Sequence, residues 1–279
     1  MSILLFTTLV FTGSFGAGFL GSLTGLGGGI VIIPLLTTVF GMDIRYAIGA
    51  SLVSVIATSS GAAAAYVREG FSNIRIGMFL EIATTAGALA GAFLALRMPT
   101  PAIALIFGLM LLQSAYVSSR HRDESAGQVK ADRLASLLRL NGTYPAREGP
   151  VAYNVASVPY GFGLMFIAGA ISGLLGIGSG AVKVLAMDRA MRLPFKVSTA
   201  TSNFMIGVTA AASAGIYLRR GYIDPGLTMP VMLGVLLGSS IGARRMFNAE
   251  TKTLRIVFGG MIFLLALEMI YTGLKGLLG

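Results

Sequence analysis

Apolar runs of roughly 20 residues recur along the whole chain, separated by short polar or basic segments, the pattern of a polytopic membrane protein. The runs predict helical elements near 3–24, 30–40, 46–66, 75–95 and 102–118, then near 157–175, 181–191, 197–218, 226–246 and 254–277. A helix needs about 20 residues to cross a bilayer, so elements 30–40 and 181–191 are short for a span. They are predicted as half-helices or arms of re-entrant hairpins, and whether they cross fully is left open. The first run lacks the basic n-region and small-residue cleavage site of a signal peptide and is expected to be a retained span.

The pattern occurs twice. Sliding the chain on itself by 151 residues, without a gap, matches Phe15 with Phe166, Gly18 with Gly169, Leu23 with Leu174, Val31 with Val182 and Ser51 with Ser202. The match continues through Thr58/Thr209, Tyr66/Tyr217, Arg68/Arg219, Gly87/Gly238 and Gly91/Gly242 to Gly108/Gly259. The glycine clusters Gly25-Leu26-Gly27-Gly28-Gly29 and Gly176-Ile177-Gly178-Ser179-Gly180 occupy equivalent places. A duplicated membrane unit with glycine-interrupted helices at matching positions points to a transporter with a midplane site. The chain divides accordingly into a first membrane repeat (1–118), a basic linker (119–156) and a second membrane repeat (157–279).

Composition agrees with the pattern. The chain is 55% hydrophobic and 11% charged, with a mean hydropathy of +0.81, against about 25% charged residues in soluble domains. The net charge of +10 is read as Lys and Arg placed in cytoplasmic loops beside anionic headgroups, and nucleic acid is not an expected partner. With no Cys, thiolate metal sites and Cys nucleophiles are excluded; the single His121 sits in a polar loop. No metal and no cofactor is implied.

The linker carries Arg120, Arg122, Lys130, Arg133, Arg139 and Arg147. Val129, Leu134, Leu137 and Leu138 share one helical face, which suits a short helix on the inner leaflet as well as a partly disordered loop. With the linker inside, and the elements flanking each glycine motif counted as two crossings or none, fifteen basic residues fall inside and five outside. The five are Arg45, Arg97, Arg219, Arg220 and Lys275, with Lys183 left in the membrane. That bias favours an odd number of crossings per repeat, hence two repeats inverted relative to each other and both termini outside. The predicted architecture is an all-α polytopic membrane protein: two inverted repeats of about five helical elements each, with broken or re-entrant helices at the Gly-rich motifs.

Candidate chemistry clusters at the motifs. Gly25, Gly27, Gly28 and Gly29, with Gly176, Gly178, Ser179 and Gly180, let the chain leave helical geometry and let a ligand approach the backbone. The freed N–H groups and the following helix start favour an anion. Gly87/Gly91 and Gly238/Gly242 are read instead as close helix packing. Lys183, among Ala181, Val182, Val184 and Leu185, is costly in hydrocarbon and is expected to bind an anion or gate its path; the plainer alternative is a side chain snorkelling to the interface. Ser51, Thr201, Ser202 and Asn203 offer neutral donors to sulfite- or sulfonate-like oxygens, or simply bond to helix carbonyls. Glu81 and Glu268 are the carboxylates well inside predicted spans; Glu81 is a candidate for proton coupling, or it reaches water near its span's cytoplasmic end.

These motifs resemble the sulfite exporter TauE/SafE family, the four-TMS sulfur-compound transporter superfamily. The first copy of the family pattern is Gly25 to Pro34, Ala50-Ser51, Arg68-Glu69-Gly70 and Gly87 to Gly91. The second is Gly176 to Leu185, Thr201-Ser202-Asn203-Phe204-Met205, Arg219-Arg220-Gly221 and Gly238 to Gly242. Ser179 stands where the pattern has glycine and Leu185 where it has proline, so a different bend is expected in the second short helix. The resemblance implies transport of small sulfur-containing anions such as sulfite or organosulfonates, usually outward. The expected partners are a small anionic solute and the lipid bilayer, with a homodimer left open. An anion channel and a carrier of a small carboxylate are the alternatives. A membrane enzyme lacks support in the residues, and a subunit docking a partner through its linker stays open.

Overall fold

The computed structural model describes residues 3–24, 29–68, 70–119, 132–146, 149–246 and 251–278. Among these, the chain is helical except for one two-stranded hairpin. The elements of the first half are α1 (Ile3–Thr24), α2 (Gly29–Pro34) with a π-helical turn at Leu35–Val39, α3 (Ile44–Arg68), α4 (Ile74–Ala95) and α5 (Thr100–Ser119). The linker holds α6 (Arg133–Leu137) and the antiparallel pair β1 (Gly142–Ala146) and β2 (Gly149–Tyr153). The second half has α7 (Val158–Leu175), α8 (Gly180–Leu185) with a π turn at Ala186–Ala190, α9 (Phe195–Arg219), α10 (Pro225–Met246) and α11 (Thr251–Leu278).

The short elements recur with the same boundaries. Shifting α2 and its π turn by 151 residues lands on α8 and its π turn. Pro34 (φ −59°, ψ −41°) and Leu185 (φ −60°, ψ −42°) share one backbone conformation, so the different bend expected from the missing proline is not found. Proline is therefore not what makes the turn. Both turns close in the same way, with Met42 N donating to Leu36 O and its equivalent Leu193 N to Met187 O, each at 3.0 Å.

Packing repeats as well. A Cβ on Gly87 would run into the Phe166 carbonyl of α7, and one on its equivalent Gly238 into the Phe15 carbonyl of α1. Gly169 backs on Thr84 O and Gly18 on Val235 O, again residues 151 apart. These glycines let α4 meet α7, and α10 meet α1, backbone against backbone. The packing role read for Gly87 and Gly238 is what the contacts show. Gly49, near the start of α3, abuts the Tyr222 carbonyl just beyond α9. Thr201, near the start of α9, accepts from Asn73 N just beyond α3, so these two helices run antiparallel.

Two helices, Ile74–Ala95 and Val158–Leu175, are long and apolar enough to cross a membrane by themselves among the described residues. Shorter apolar stretches run over Leu4–Leu20, Gly29–Val39, Ile44–Ser60, Thr100–Ala115 and Pro225–Ile241. Helix α9 is diluted by Ser198, Thr199, Thr201, Ser202 and Asn203.

The linker is more ordered than a loop. Asn73 caps α4 by accepting from Ile76 N, and its Nδ2 donates to Leu140 O (3.0 Å) and Tyr153 Oη (2.7 Å). Asp132 accepts from Val158 N, and Asn141 from Val155 N. Ala135, Leu140 and Val155 join Ile76, Leu80, Met187, Met191 and Met205 in one buried apolar cluster. Where a short amphipathic helix or a loop was expected, the linker holds the five-residue α6, with Leu134, Leu137 and Leu138 exposed; Val129 lies outside the described residues. The hairpin is not among the elements that the sequence predicts.

Candidate functional site

Between α7 and α8 the backbone leaves helical geometry. Gly176 (φ 67°), Gly178 (φ 72°) and Ser179 (φ 42°) are all left-handed. Glycine takes that conformation freely, whereas Ser179 is strained there. Its hydroxyl donates to Ala168 O at 2.7 Å, which ties the turn to α7. Gly25, Gly27 and Gly28 lie outside the described residues. Gly29 opens α2 against Ser51, and Gly180 opens α8 against Ser202; an added Cβ would lie 2.7 Å and 3.7 Å from the respective hydroxyls.

The two motif regions touch. Ser51 Oγ donates to Gly176 O across the halves at 2.8 Å, and Ser202 Oγ to Gly180 O at 3.3 Å. Thr201 Oγ1 accepts from Asn73 N, and Asn203 Nδ2 donates to Thr199 O, one turn back on its own helix. The hydroxyls and the amide expected to face a solute therefore have bonds within the protein. Ser198 Oγ and Thr199 Oγ1, their neighbours on α9, are buried without a hydrogen-bond partner among the described residues.

Lys183 is different. Its side chain is fully buried (0% exposed), so the snorkelling alternative fails. Its Nζ donates to Thr209 Oγ1 of α9 at 2.6 Å, and Thr209 Oγ1 donates to Glu81 Oε1 of α4 at 2.7 Å. Thr85 Oγ1 adds a second donor to Oε1 at 3.0 Å. Glu81 is 8% exposed, so it does not reach water near the end of its span. Its other oxygen, Oε2, is buried with no hydrogen-bond partner among the described residues. Thr209 has a single hydroxyl hydrogen and a second acceptor, Met205 O, at 2.9 Å. The sequence singles out Lys183 and Glu81 separately; the structure joins them through Thr209 in one Lys183–Thr209–Glu81 chain. A signal was available, because two lone opposite charges in apolar spans each require a partner.

The chain is unsymmetrical. The first-half equivalents of Lys183 and Thr209 are Ile32 and Thr58, and the second-half equivalent of Glu81 is Met232. Glu268 is exposed on α11, away from this centre. At the opposite ends of α4 and α9, Phe93, Leu96, Ile216, Arg219 and Arg220 line a cavity of about 440 Å³. Arg45 lies at that end too, donating to Met98 O at 2.7 Å beside the Tyr222 ring. No group of three His, Asp or Glu side chains converges among the described residues.

The family model "Sulfite exporter TauE/SafE" matches residues 10–269. The chain is 29% identical to the "Probable membrane transporter protein YunE" of Bacillus subtilis (strain 168), over 92% of this chain and 95% of that protein. It is 27% identical to a "Probable membrane transporter protein" of Xylella fastidiosa (strain 9a5c), over 94% and 95%. It is 25% identical to the "Probable membrane transporter protein MJ0441" of Methanocaldococcus jannaschii, over 96% of both chains. No solved structure matches significantly. The chain belongs to the sulfite exporter TauE/SafE family of membrane transporters.

Proposed function

We propose that this protein is a secondary transporter carrying a small sulfur-containing anion outward across the cytoplasmic membrane, with sulfite, sulfoacetate or another organosulfonate as its substrate. It works as a multi-pass protein whose halves are inverted repeats that rock about a shared site, with the linker on the cytoplasmic side. Support for the inversion comes from the contact pairs that exchange under the 151-residue shift, and from the antiparallel equivalents α3 and α9. Family membership supports transport.

The observation that carries the anion reading is Lys183, a fully buried ammonium in an apolar helix beside a backbone turn. Lys183 reaches the Glu81 carboxylate through the Thr209 hydroxyl rather than by direct contact, and a mobile anion is the solute that such a cation attracts. Arg219 and Arg220 at the cavity concentrate anions at one mouth. Thermal shift of the purified protein against sulfite, sulfoacetate, taurine, sulfate and small carboxylates tests the reading. A sulfite or sulfonate should stabilise the protein, and Lys183→Ala should abolish the shift. Equal stabilisation by carboxylates or by cations would defeat the assignment.

A further inference from the structure

We infer that Glu81 makes anion transport proton-coupled: one proton enters with each monovalent anion, and the carboxyl releases Lys183 to the anion when it is protonated. The inference rests on the anion reading above and names its coupling ion.

The argument is a charge balance in a place that tolerates no imbalance. Between their ends, α3, α7 and α9 carry no charged side chain, α8 carries only Lys183, and α4 carries only Glu81 beyond Arg75 in its first turn. The other titratable groups on these elements lie at their ends. Among the described side chains they are Arg45 and Tyr46 on α3, Tyr160 on α7, Asp188 and Arg189 on the π turn after α8, and Lys196, Tyr217 and Arg219 on α9; Tyr66 and Arg68, at the far end of α3, lie outside them, and Tyr153 approaches α4 from the linker. Empty, the centre holds one ammonium and one carboxylate and is neutral. A monovalent anion arriving alone would leave a buried net negative charge, and a buried charge lacking its partner is strongly disfavoured. An anion arriving with a proton on Glu81 leaves the centre neutral again.

The atoms provide the route. Oε1 already accepts from Thr209 and Thr85, so the proton goes to Oε2, the oxygen without a protein partner. Protonated there, Glu81 turns from a competitor for Lys183 into a donor toward an anion oxygen. Thr209 can release Oε1 without losing a hydrogen bond, because Met205 O is within reach. The single transferred proton comes from solvent. Empty and loaded forms are both neutral, so anion and proton move together in the same direction. An acid-outside gradient then drives anion inward, and net export runs on the anion's own gradient.

Calorimetric titration of the full-length protein with 2-hydroxyethanesulfonate, in two buffers of different ionisation enthalpy, counts the protons taken up. The sulfonate stays ionised between about pH 6 and pH 8, so any uptake belongs to the protein. The expected count is about one, with affinity falling about tenfold per pH unit once the empty site has lost its proton. Glu81→Gln removes the uptake at the carboxyl, so at the acid end of that range, where Lys183 stays charged, it should take up none. In liposomes, an acid-outside jump should drive 2-hydroxyethanesulfonate uptake by the wild type. Binding with zero protons, or flux indifferent to the pH jump, overturns the coupling and leaves the anion site standing; this holds whether or not Glu81→Gln folds. No binding of 2-hydroxyethanesulfonate, sulfoacetate or sulfite overturns both.

Discussion

Breaking the Lys183–Thr209–Glu81 chain at one end should cost more than removing it whole. Lys183→Met leaves the Glu81 carboxylate buried, held by Thr209 and Thr85 but with no cation. Removing one partner of a buried ion pair costs about 3–5 kcal/mol. Glu81→Gln leaves a buried ammonium facing a neutral amide and should lose a similar amount. The double variant Lys183→Met/Glu81→Gln keeps donors near Thr209 and buries no charge, so it should lie within about 1–2 kcal/mol of the wild type. The coupling energy is then at least about 4 kcal/mol, above the roughly 0.5–3 kcal/mol usual for a double-mutant cycle. The pH dependence separates the two singles. Glu81 in Lys183→Met can be relieved by a proton, so that deficit shrinks as pH falls. Lys183 in Glu81→Gln is relieved by losing one, so that deficit shrinks as pH rises. With no Trp in the chain, a fluorescent-protein fusion followed by size-exclusion after heating is a suitable readout. Additive losses with no coupling, or a pH-independent deficit in both singles, would refute the claim that these charges neutralise each other.

The backbone contacts of the packing glycines predict paired effects. Gly169→Val at the α4–α7 contact and its equivalent Gly18→Val at the α1–α10 contact each drive side-chain atoms into a carbonyl; each should lower stability by at least the roughly 1–3 kcal/mol of an overpacked core, read by the same melting assay. Val at Gly163, where nothing lies within 4 Å, should be nearly neutral. In the linker, burial pushes the Tyr153 phenol up, and the hydrogen bond from Asn73 opposes that rise. The unfolded phenol ionises near pH 10, so the stability from the buried neutral phenol is present below that pH and is lost as pH rises through the folded value. Difference absorbance between wild type and Tyr153→Phe should show a tyrosine titrating later than the exposed ones, and later still in Asn73→Ala.

The membrane-protein pattern, the doubling and the short elements were all legible in the sequence. Apolar runs are a local property, and the minimum length of a spanning helix is a geometric constant, so 30–40 and 181–191 stood out before any coordinates. They appear as Gly29–Val39 and Gly180–Ala190. The packing glycines were legible for the same reason, since small-residue spacing is written on one helix. The site was only half legible. Lys183 drew attention because one charge in an apolar run is conspicuous and calls for a partner, but the sequence does not decide between Glu81 and Glu268: both lie in predicted spans on other helices. Only the rotation of α4, α8 and α9 about their axes brings those side chains to Thr209. The same holds for Thr201, Ser202 and Asn203, whose hydroxyl or amide type was read correctly but whose partners depend on neighbouring backbones. The linker hairpin was missed because its stability comes from Asn73 and the apolar cluster beneath it, not from strand propensity in 142–153. Sequence periodicity determined which segments are helical and which are repeated. Tertiary packing decided which polar groups meet, because a helix presents every face and only its neighbours select the one that is buried.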